Sequence, residues 1–319
     1  MVTRRPTVYI PTFNRVDLLL RTLVSLHSQT TPSDIVVVDN GSSDNTALAV
    51  KAEFPDVDLV ALPENMGFGP AINFGVRQHP SPLLLLLNND VECHPQFVEA
   101  MVDALGARTD AVAGVLLQWH DPERIDSAGV DIDSTLMPFD HLHGRRAEEA
   151  LGADPPLGPT GGAALFRADS FRDAGGFDDR IFAYLEDVDL ALRMRSRGGS
   201  CRLAATARVV HHHSATLGAG SARKNELMGF SRAYLLRRYG VMRRPQRALR
   251  ALATEAVICG AQLAFDHTVS GVVGRSRGWR AAKSLPRRVI PSDIPMADVS
   301  ALEALRARAR QARVRRSGS

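Results

Sequence analysis

The sequence predicts an α/β fold: a mostly parallel sheet flanked by helices, with a helical carboxyl-terminal extension. Three observations lead there. Strand-like and helical text alternate regularly from residue 5 to residue 117, the strand-like pieces are continuous apolar runs, and four of them end abruptly in polar or glycine-rich residues. Such alternation marks βα units, whose crossover helices cover both faces of a parallel sheet and leave its strands apolar on both sides. Ligands on open sheets of this kind bind beyond the carboxyl ends of the strands, so the four polar ends are candidates for one binding edge.

In order, "TVYIP", "DIVVVDN", "VDLVALP", "LLLLLNND" and "AVAGVLL" read as strands, with helical spacing between them. The leucines at 83–87 are too few to cross a membrane, which takes roughly 20 apolar residues, but suit a strand buried on both faces. The first helix is expected to start at Asn14 as N-cap, with Asp17 three residues on, and the fourth at His94 with Pro95 as first helical residue. From 118 to 158, Asp, Pro, Gly and His break the pattern into a long excursion, read as a hairpin over one edge of the sheet. "TGGAALFR" (160–167) restores a strand. In "LEDVD" (185–189), helical spacing would align Leu185, Val188 and Leu192 as an apolar stripe and point Asp187 nearly opposite, toward solvent or a cleft. Beyond 220 the text is helical and arginine-rich. Its most apolar part, 248–265, is interrupted by Arg250 and Glu255 and reads as too short for a span, suiting either a membrane surface or packing against the main domain. The expected organisation is a main domain over 1–240 and an extension over 241–319, disordered after about 306.

A chain of 319 residues with 45% hydrophobic and 23% charged residues can bury a full core. Cys93, Cys201 and Cys259 show no CxxC spacing, which argues against a disulfide framework or a zinc site and fits a reducing cytosol. The amino-terminal text lacks the apolar stretch of a signal peptide, so no export is expected. The net charge of +4 hides an asymmetry: residues 1–231 hold 20 Lys+Arg against 30 Asp+Glu, and 232–319 hold 19 against 5. A basic tail of that kind can meet an anionic membrane or nucleic acid, or can be a solvated helical face. Few aromatics accompany the charge, which disfavours nucleic acid.

Four strand ends gather the candidate ligand groups: Thr12, Asn14 and Arg15; Asp39, Asn40, Gly41 and Ser42; Asn65, Gly67 and Gly69; Asn88, Asn89 and Asp90. "GFGPAINFG" begins like a dinucleotide fingerprint but lacks the third glycine at the required place. Asp90, beside two amides at the end of a buried strand, offers a hard oxygen ligand suited to Mg²⁺ or Mn²⁺, or else is a helix-entry acid. Of the histidines in "VVHHHSAT" one can ligate a metal. All three cannot converge, because successive side chains in extended chain alternate; His211 and His213 would share a face.

Taken in order, "PTFNR", "VVDNGSSDNT", "NMGFGPAINFG", "LLLLNND", "TGGAALFR", "GGFDDRIFAYLEDVDLALR" and "VVHHHS" resemble the family 2 glycosyltransferases of GT-A fold, particularly the bacterial branch that includes rhamnosyltransferases. The resemblance covers about residues 5–240. It implies an inverting transfer of a sugar, rhamnose in that branch, from a nucleotide-diphosphate donor to a glycan or polyprenyl-diphosphate-linked acceptor. It implies donor contacts at Thr12, Arg15, Asp39, Asn65, Gly67, Asn73, Asn88 and Asn89. Asn88, Asn89 and Asp90 occupy the family's DXD position, with an amide replacing the first acid and Asp90 remaining as ligand to Mn²⁺ or Mg²⁺. His211 looks like the late histidine ligand, with His213 as runner-up. Asp187, beside Glu186 in the "ED" position, resembles the general base, and Gly161 and Gly162 the small residues on the acceptor side. The implied location is cytoplasmic, peripheral on the inner face of the cell membrane, with no nucleic-acid partner. Two other functions compete: a sugar-phosphate nucleotidyltransferase, disfavoured because "PTFNR" has no glycine for a triphosphate loop, and a GT-A-like binding protein without activity.

Overall fold

The computed structural model describes residues 5–212, 221–291, 294 and 296. In chain order its elements are β1 (Thr7–Thr12), α1 (Val16–His27), β2 (Asp34–Asp39), α2 (Thr46–Glu53), β3 (Asp58–Ala61), α3 (Phe68–Gln78), β4 (Leu83–Leu87), β5 (Val91–Cys93), α4 (Phe97–Asp103), β6 (Ala111–Gln118), β7 (Asp121–Ser127), β8 (Val130–Ile132), β9 (Pro138–Asp140), β10 (Ala163–Arg167), α5 (Ala168–Asp173), α6 (Glu186–Arg195), β11 (Cys201–His211), α7 (Ala222–Arg238), α8 (Pro245–Phe265) and α9 (Ser270–Ala281). The main sheet runs β3-β2-β1-β4-β10-β6-β11-β5, with β7 paired to β6. Strands β3, β2, β1 and β4 are parallel, β10 runs against both neighbours, and β11 returns parallel to β6 and antiparallel to β5.

The leucine run explains its own composition. Leu83, Leu85 and Leu87 enter one core with Leu19 and Leu23 of α1 and Phe97 and Met101 of α4, while Leu84 and Leu86 enter the other with Ile72 of α3 and Phe171 of α5. A period of two then demands apolar side chains at every position. Each fully buried leucine contributes about 1.5–3 kcal/mol, so a polar residue anywhere in β4 would be strongly selected against by folding alone. The excursion at 118–158 does contain a hairpin, β8–β9, but as a separate two-stranded sheet, and its β7 pairs with β6, an interior strand, not over a sheet edge.

Two helix starts differ from expectation. Arg15, with φ 62°, is the N-cap of α1, and Asn14 at φ 58° is also left-handed. Asn14 does not cap: its Oδ1 accepts from Ser43 N–H at 2.9 Å and its own N–H donates to Ser42 Oγ at 2.8 Å, tying the loop after β1 to the loop after β2. Helix α4 begins at Phe97 because Pro95 opens a turn, closed by Phe97 N–H to His94 O, and Gln29 Oε1 accepts from Val98 N–H at 3.0 Å in place of a local cap.

A third core joins α6 to the carboxyl-terminal helices: Leu185, Val188 and Leu192 pack with Tyr234 and Leu235 of α7, Ala251 of α8, Ala282, and Val130 and Ile132 of β8. The stripe read from the sequence is therefore the face that receives the extension. Contacts cross the boundary drawn at 240, which falls between α7 and α8. Buried charges reinforce this junction. Glu255 of α8 lies between Arg232 of α7 (2.7 Å) and Arg275 of α9 (2.6 Å), and Arg288 reaches both Asp178 and Asp189. Helix α8 begins three residues before the apolar text and runs for 21 residues, an 18-residue stretch of it having mean hydropathy 1.3. By length and composition alone it could cross a membrane, which corrects the reading of 248–265 as too short. The tail beyond about 306 lies outside the described residues.

Candidate active site

The strand ends meet along one edge. Thr12 and Asp39 are register partners at the ends of β1 and β2, and Asn89 Nδ2 donates to Thr12 Oγ1 at 2.8 Å. Asp39 Oδ1 accepts from Ser42 N–H at 2.9 Å, which closes the turn after β2. Asn65 Oδ1 accepts from Gly67 N–H (3.0 Å) and from Asn40 Nδ2 (3.1 Å), while Asn40 Oδ1 accepts from Met66 N–H (2.8 Å), so a ring of amides shapes the loop ahead of α3. Gly67 sits at φ 95°, and a Cβ there would lie 2.2 Å from Phe182 O; only glycine allows this loop to touch the segment that leads into α6.

Two residues expected on the donor side have partners within the chain. Asn73 is buried within α3, where Nδ2 donates to Phe177 O (2.9 Å) and Asp179 Oδ1 (2.8 Å) and Oδ1 accepts from Phe177 N–H (3.0 Å). Its amide braces α3 against the 177–179 loop. Arg15 turns its guanidinium along α1 to Asp17 at 3.2 Å, on the exposed side of the loop.

At the other end of the edge stand Asp90 and His211. Backbone pairing sets them together: His211 faces Val91 across β11 and β5, and His212 N–H donates to Asp90 O at 2.9 Å. His211 Nε2 lies 3.4 Å from Asp90 Oδ1, and Nδ1 lies 2.8 Å from Asp126 Oδ2 at the end of β7. Burial pulls the imidazole toward neutrality, but Asp126 and Asp90 prevail and push it up to about 10. His212 points the other way, onto Glu92 (3.0 Å) and the Trp119 ring (centroids 3.7 Å apart), as alternation along an extended chain requires. His213 lies outside the described residues. The carboxylate and imidazole suit Mn²⁺ or Mg²⁺ by donor type. Among the described residues no group of three or more His, Cys, Asp or Glu side chains is disposed to hold a metal, so a cation at Asp90 and His211 would draw further ligands from elsewhere, such as phosphate oxygens.

Asp187 completes the edge. Tyr184 and Leu185 both adopt left-handed φ, 68° and 65°, a backbone strain of about 1–3 kcal/mol each that turns the chain sharply into α6. Asp187 Oδ1 accepts from Val188 N–H at 2.8 Å, and its carboxylate also accepts from Gly161 N–H. Next along, Gly162 O accepts from Asn88 N–H at 3.3 Å, and a Cβ on Gly162 would lie 2.9 Å from Leu116 and 3.4 Å from the Asn88 amide. Burial raises the Asp187 carboxyl, with the charge of Asp140 on β9 adding to it. Burial raises Glu186 still further, with Asp187 adding, and Glu186 Oε2 has no hydrogen-bond partner among the described residues. The continuous line runs from Asp187 through Gly161, Gly162, Asn88 and Asn89 to Asp90 and His211. Such an edge can cradle a phosphorylated sugar at one end and take up a proton at the other.

Asp126 and Asp140 were not singled out in the sequence. Both lie in the 118–158 excursion, whose length marks the region but whose lone acids carry no spacing signal.

Residues 7–175 match the family described as Glycosyl transferase family 2. The chain is 30% identical over 225 residues to N-acetylglucosaminyl-diphospho-decaprenol L-rhamnosyltransferase of Mycobacterium tuberculosis, covering 63% of this chain and 73% of that protein. Among solved structures, the mannosyltransferase PcManGT from Pyrobaculum calidifontis in complex with GDP-Man and Mn²⁺ superposes with a TM-score of 0.53 at 18% identity, over 97% of this chain and 80% of that one. GalNAc-T7 with UDP, GalNAc and Mn²⁺ superposes with a TM-score of 0.58 at 16% identity, over 76% of this chain, which spans about half (51%) of that protein's length.

Proposed function

Since this chain belongs to glycosyl transferase family 2 and has a GT-A fold, we propose that it is an inverting glycosyltransferase that moves a sugar, rhamnose by its likeness to the mycobacterial relative, from a nucleotide-diphosphate donor to a polyprenyl-diphosphate-linked saccharide. The observation that carries this reading is the single edge on which Asp187, Asn88, Asp90 and His211 adjoin. Thr12, Asp39, Asn65 and Gly67 form the base and ribose side, Asn88 and Asn89 border the diphosphate, and Gly161 and Gly162, packed against Phe68 and Leu116, lie on the acceptor side. Asp187 takes the proton of the acceptor hydroxyl as its oxygen bonds to the anomeric carbon and the bond from that carbon to the diphosphate breaks. Glu186, held protonated by its burial, keeps a second negative charge away from that base. Asp90 and His211 would hold a divalent cation, which would supply charge neutralisation for the diphosphate. A soluble nucleotide-sugar donor places the reaction on the cytoplasmic side of the membrane.

The test is calorimetry with a panel of nucleotide-sugars, with and without Mn²⁺. One deoxythymidine-diphosphate sugar is expected to bind, more tightly with Mn²⁺, and Asp90→Ala to weaken both metal and donor binding by about tenfold or more. Unchanged donor affinity in that variant removes Asp90 from its role.

Asp126 belongs to the same assignment. Its bond to Nδ1 fixes which ring nitrogen of His211 is turned to Asp90, an arrangement that orients metal-ligating histidines elsewhere. Asp126→Asn should lower Mn²⁺ affinity by about 10- to 100-fold in a direct binding measurement while the fold persists. Equal affinity would show that His211 needs no such partner.

A further inference from the structure

We propose that the outward face of α8, with the adjoining side of α9, is a docking surface for an anionic lipid bilayer, the helix lying among the headgroups and not crossing. The proposal rests on the lipid-linked acceptor argued above. Helical spacing sets Leu249, Leu252, Ala253, Ala256, Val257, Gly260, Leu263 and Ala264 on one side of α8, with no charge among them. Leu249 is 73% exposed and Phe265, at the helix end, 74%. Val269, Val272, Val273 and Trp279 continue the exposed apolar surface, and a cavity of about 390 Å³ lined by Ala251, Leu252, Val272 and Trp279 opens between the helices.

Charge identifies the occupant. Arg243, Arg244 and Arg247 stand at one end of the apolar face, Arg280 lies in the last turn of α9 and Lys283 and Arg287 follow it; among the described residues none of these six has an acidic partner. The acids nearby are engaged: Glu255 with Arg232 and Arg275, and Asp266 with Asn225. Apolar side chains flanked by uncompensated cations match the boundary between acyl chains and anionic headgroups. A second copy of the chain on the same face would bring like charges together. Crossing would draw Glu255 out of its ion pairs into hydrocarbon, and Arg250 away from Asp133, 3.4 Å distant.

The full chain is to be sedimented with vesicles of phosphatidylcholine alone and with phosphatidylglycerol added. Binding is expected to the anionic vesicles and to weaken with salt. Leu249→Ser with Phe265→Ser should reduce it by about tenfold or more. Arg243→Gln with Arg244→Gln and Arg247→Gln should reduce it comparably on anionic vesicles alone. Donor binding, followed by thermal shift, should stay unchanged in both variants and so report that each is folded. Variants that sediment like the parent overturn the proposal, as does a parent that ignores both vesicles and forms a dimer that Leu252→Glu dissociates. A chain that binds vesicles as described but no nucleotide-sugar would instead overturn the transferase reading and leave the surface standing.

Discussion

Replacing Asp187 by Asn is expected to lower kcat by about 10²- to 10⁴-fold, with donor affinity unchanged and thermal stability equal to or above that of the parent. The size follows from the role: a positioned base removes a proton in the transition state, and an amide of the same shape cannot. The sign of the stability change follows from the environment. Burial raises the carboxyl of Asp187, and Asp140 raises it further, so the native state holds this proton to a higher pH than the unfolded chain does. Stability from this group is therefore fully present below the unfolded carboxyl value, about 3.9, and is lost as pH rises through the raised native value. The Asn variant has no such loss, so its melting temperature should gain on the parent's between mildly acidic and neutral pH. Activity of the parent should run the opposite way, rising as that proton leaves and thus at a higher pH than an ordinary carboxylate would allow. A variant with near-parental turnover across the pH range removes Asp187 from catalysis. A variant that simply unfolds would show it in donor binding as well.

What the sequence disclosed and what it withheld divide along a physical line. Residues 83–87 announced a doubly buried strand because a two-faced sheet environment requires apolar side chains at every position, and β4 contributes leucines to both cores. Asp90 and Asp187 stood out as candidates because each adjoins a regular element whose direction follows from local pattern. Asp126 and Asp140 were not. Their places depend on how the excursion folds back as β7 and the β8–β9 hairpin, and that path is set by tertiary pairing rather than by local periodicity. Asn73 was expected at the donor only by the family resemblance, and its amide bonds to Phe177 and Asp179, more than a hundred residues away. The helix starts at Arg15 and Phe97 were missed for a similar reason. Groups outside the local segment set them: the bonds that tie Asn14 to the loop after β2, and the Gln29 side chain that accepts from Val98 N–H. Helix α8 illustrates the reverse: its apolar text was evident, but which side faces out depended on where Glu255 finds Arg232 and Arg275.

Replacing Arg288 by Ala is expected to destabilise the protein by about 3–5 kcal/mol at neutral pH. Arg288 lies 110 and 99 residues from its partners, donating to Asp178 Oδ2 at 2.8 Å and to Asp189 Oδ1. The side chain of Asp178 is 3% exposed and that of Asp189 is fully buried. Tyr234 and Tyr239 donate to the same two carboxylates, and deletion of Arg288 leaves Asp189 with Arg193 at 2.8 Å and Asp178 with only the exposed Arg180 at 3.5 Å. Breaking a buried network from one side leaves charge uncompensated, which is more damaging than losing a surface pair. Arg288→Lys should recover only part of the loss, because an ammonium is a point charge and cannot present a planar fork to two carboxylates. The pH dependence is the reverse of that for Asp187. Burial alone would raise Asp178, but the bonds from Tyr234 and Arg180 and the charge of Arg288 prevail and hold it below its ordinary value. Its stabilisation is thus present above the unfolded carboxyl value and lost as pH falls through the depressed native value. The gap between parent and Arg288→Ala should accordingly be widest near neutrality and narrow toward acid, which denaturant unfolding at several pH values would read directly. A gap independent of pH would mean that Arg288 acts by packing its stem and not through the two acids. The functional stake is positional: Asp189 lies two residues beyond Asp187 on α6, so the same clamp that secures the carboxyl-terminal helices also fixes the helix that carries the proposed base.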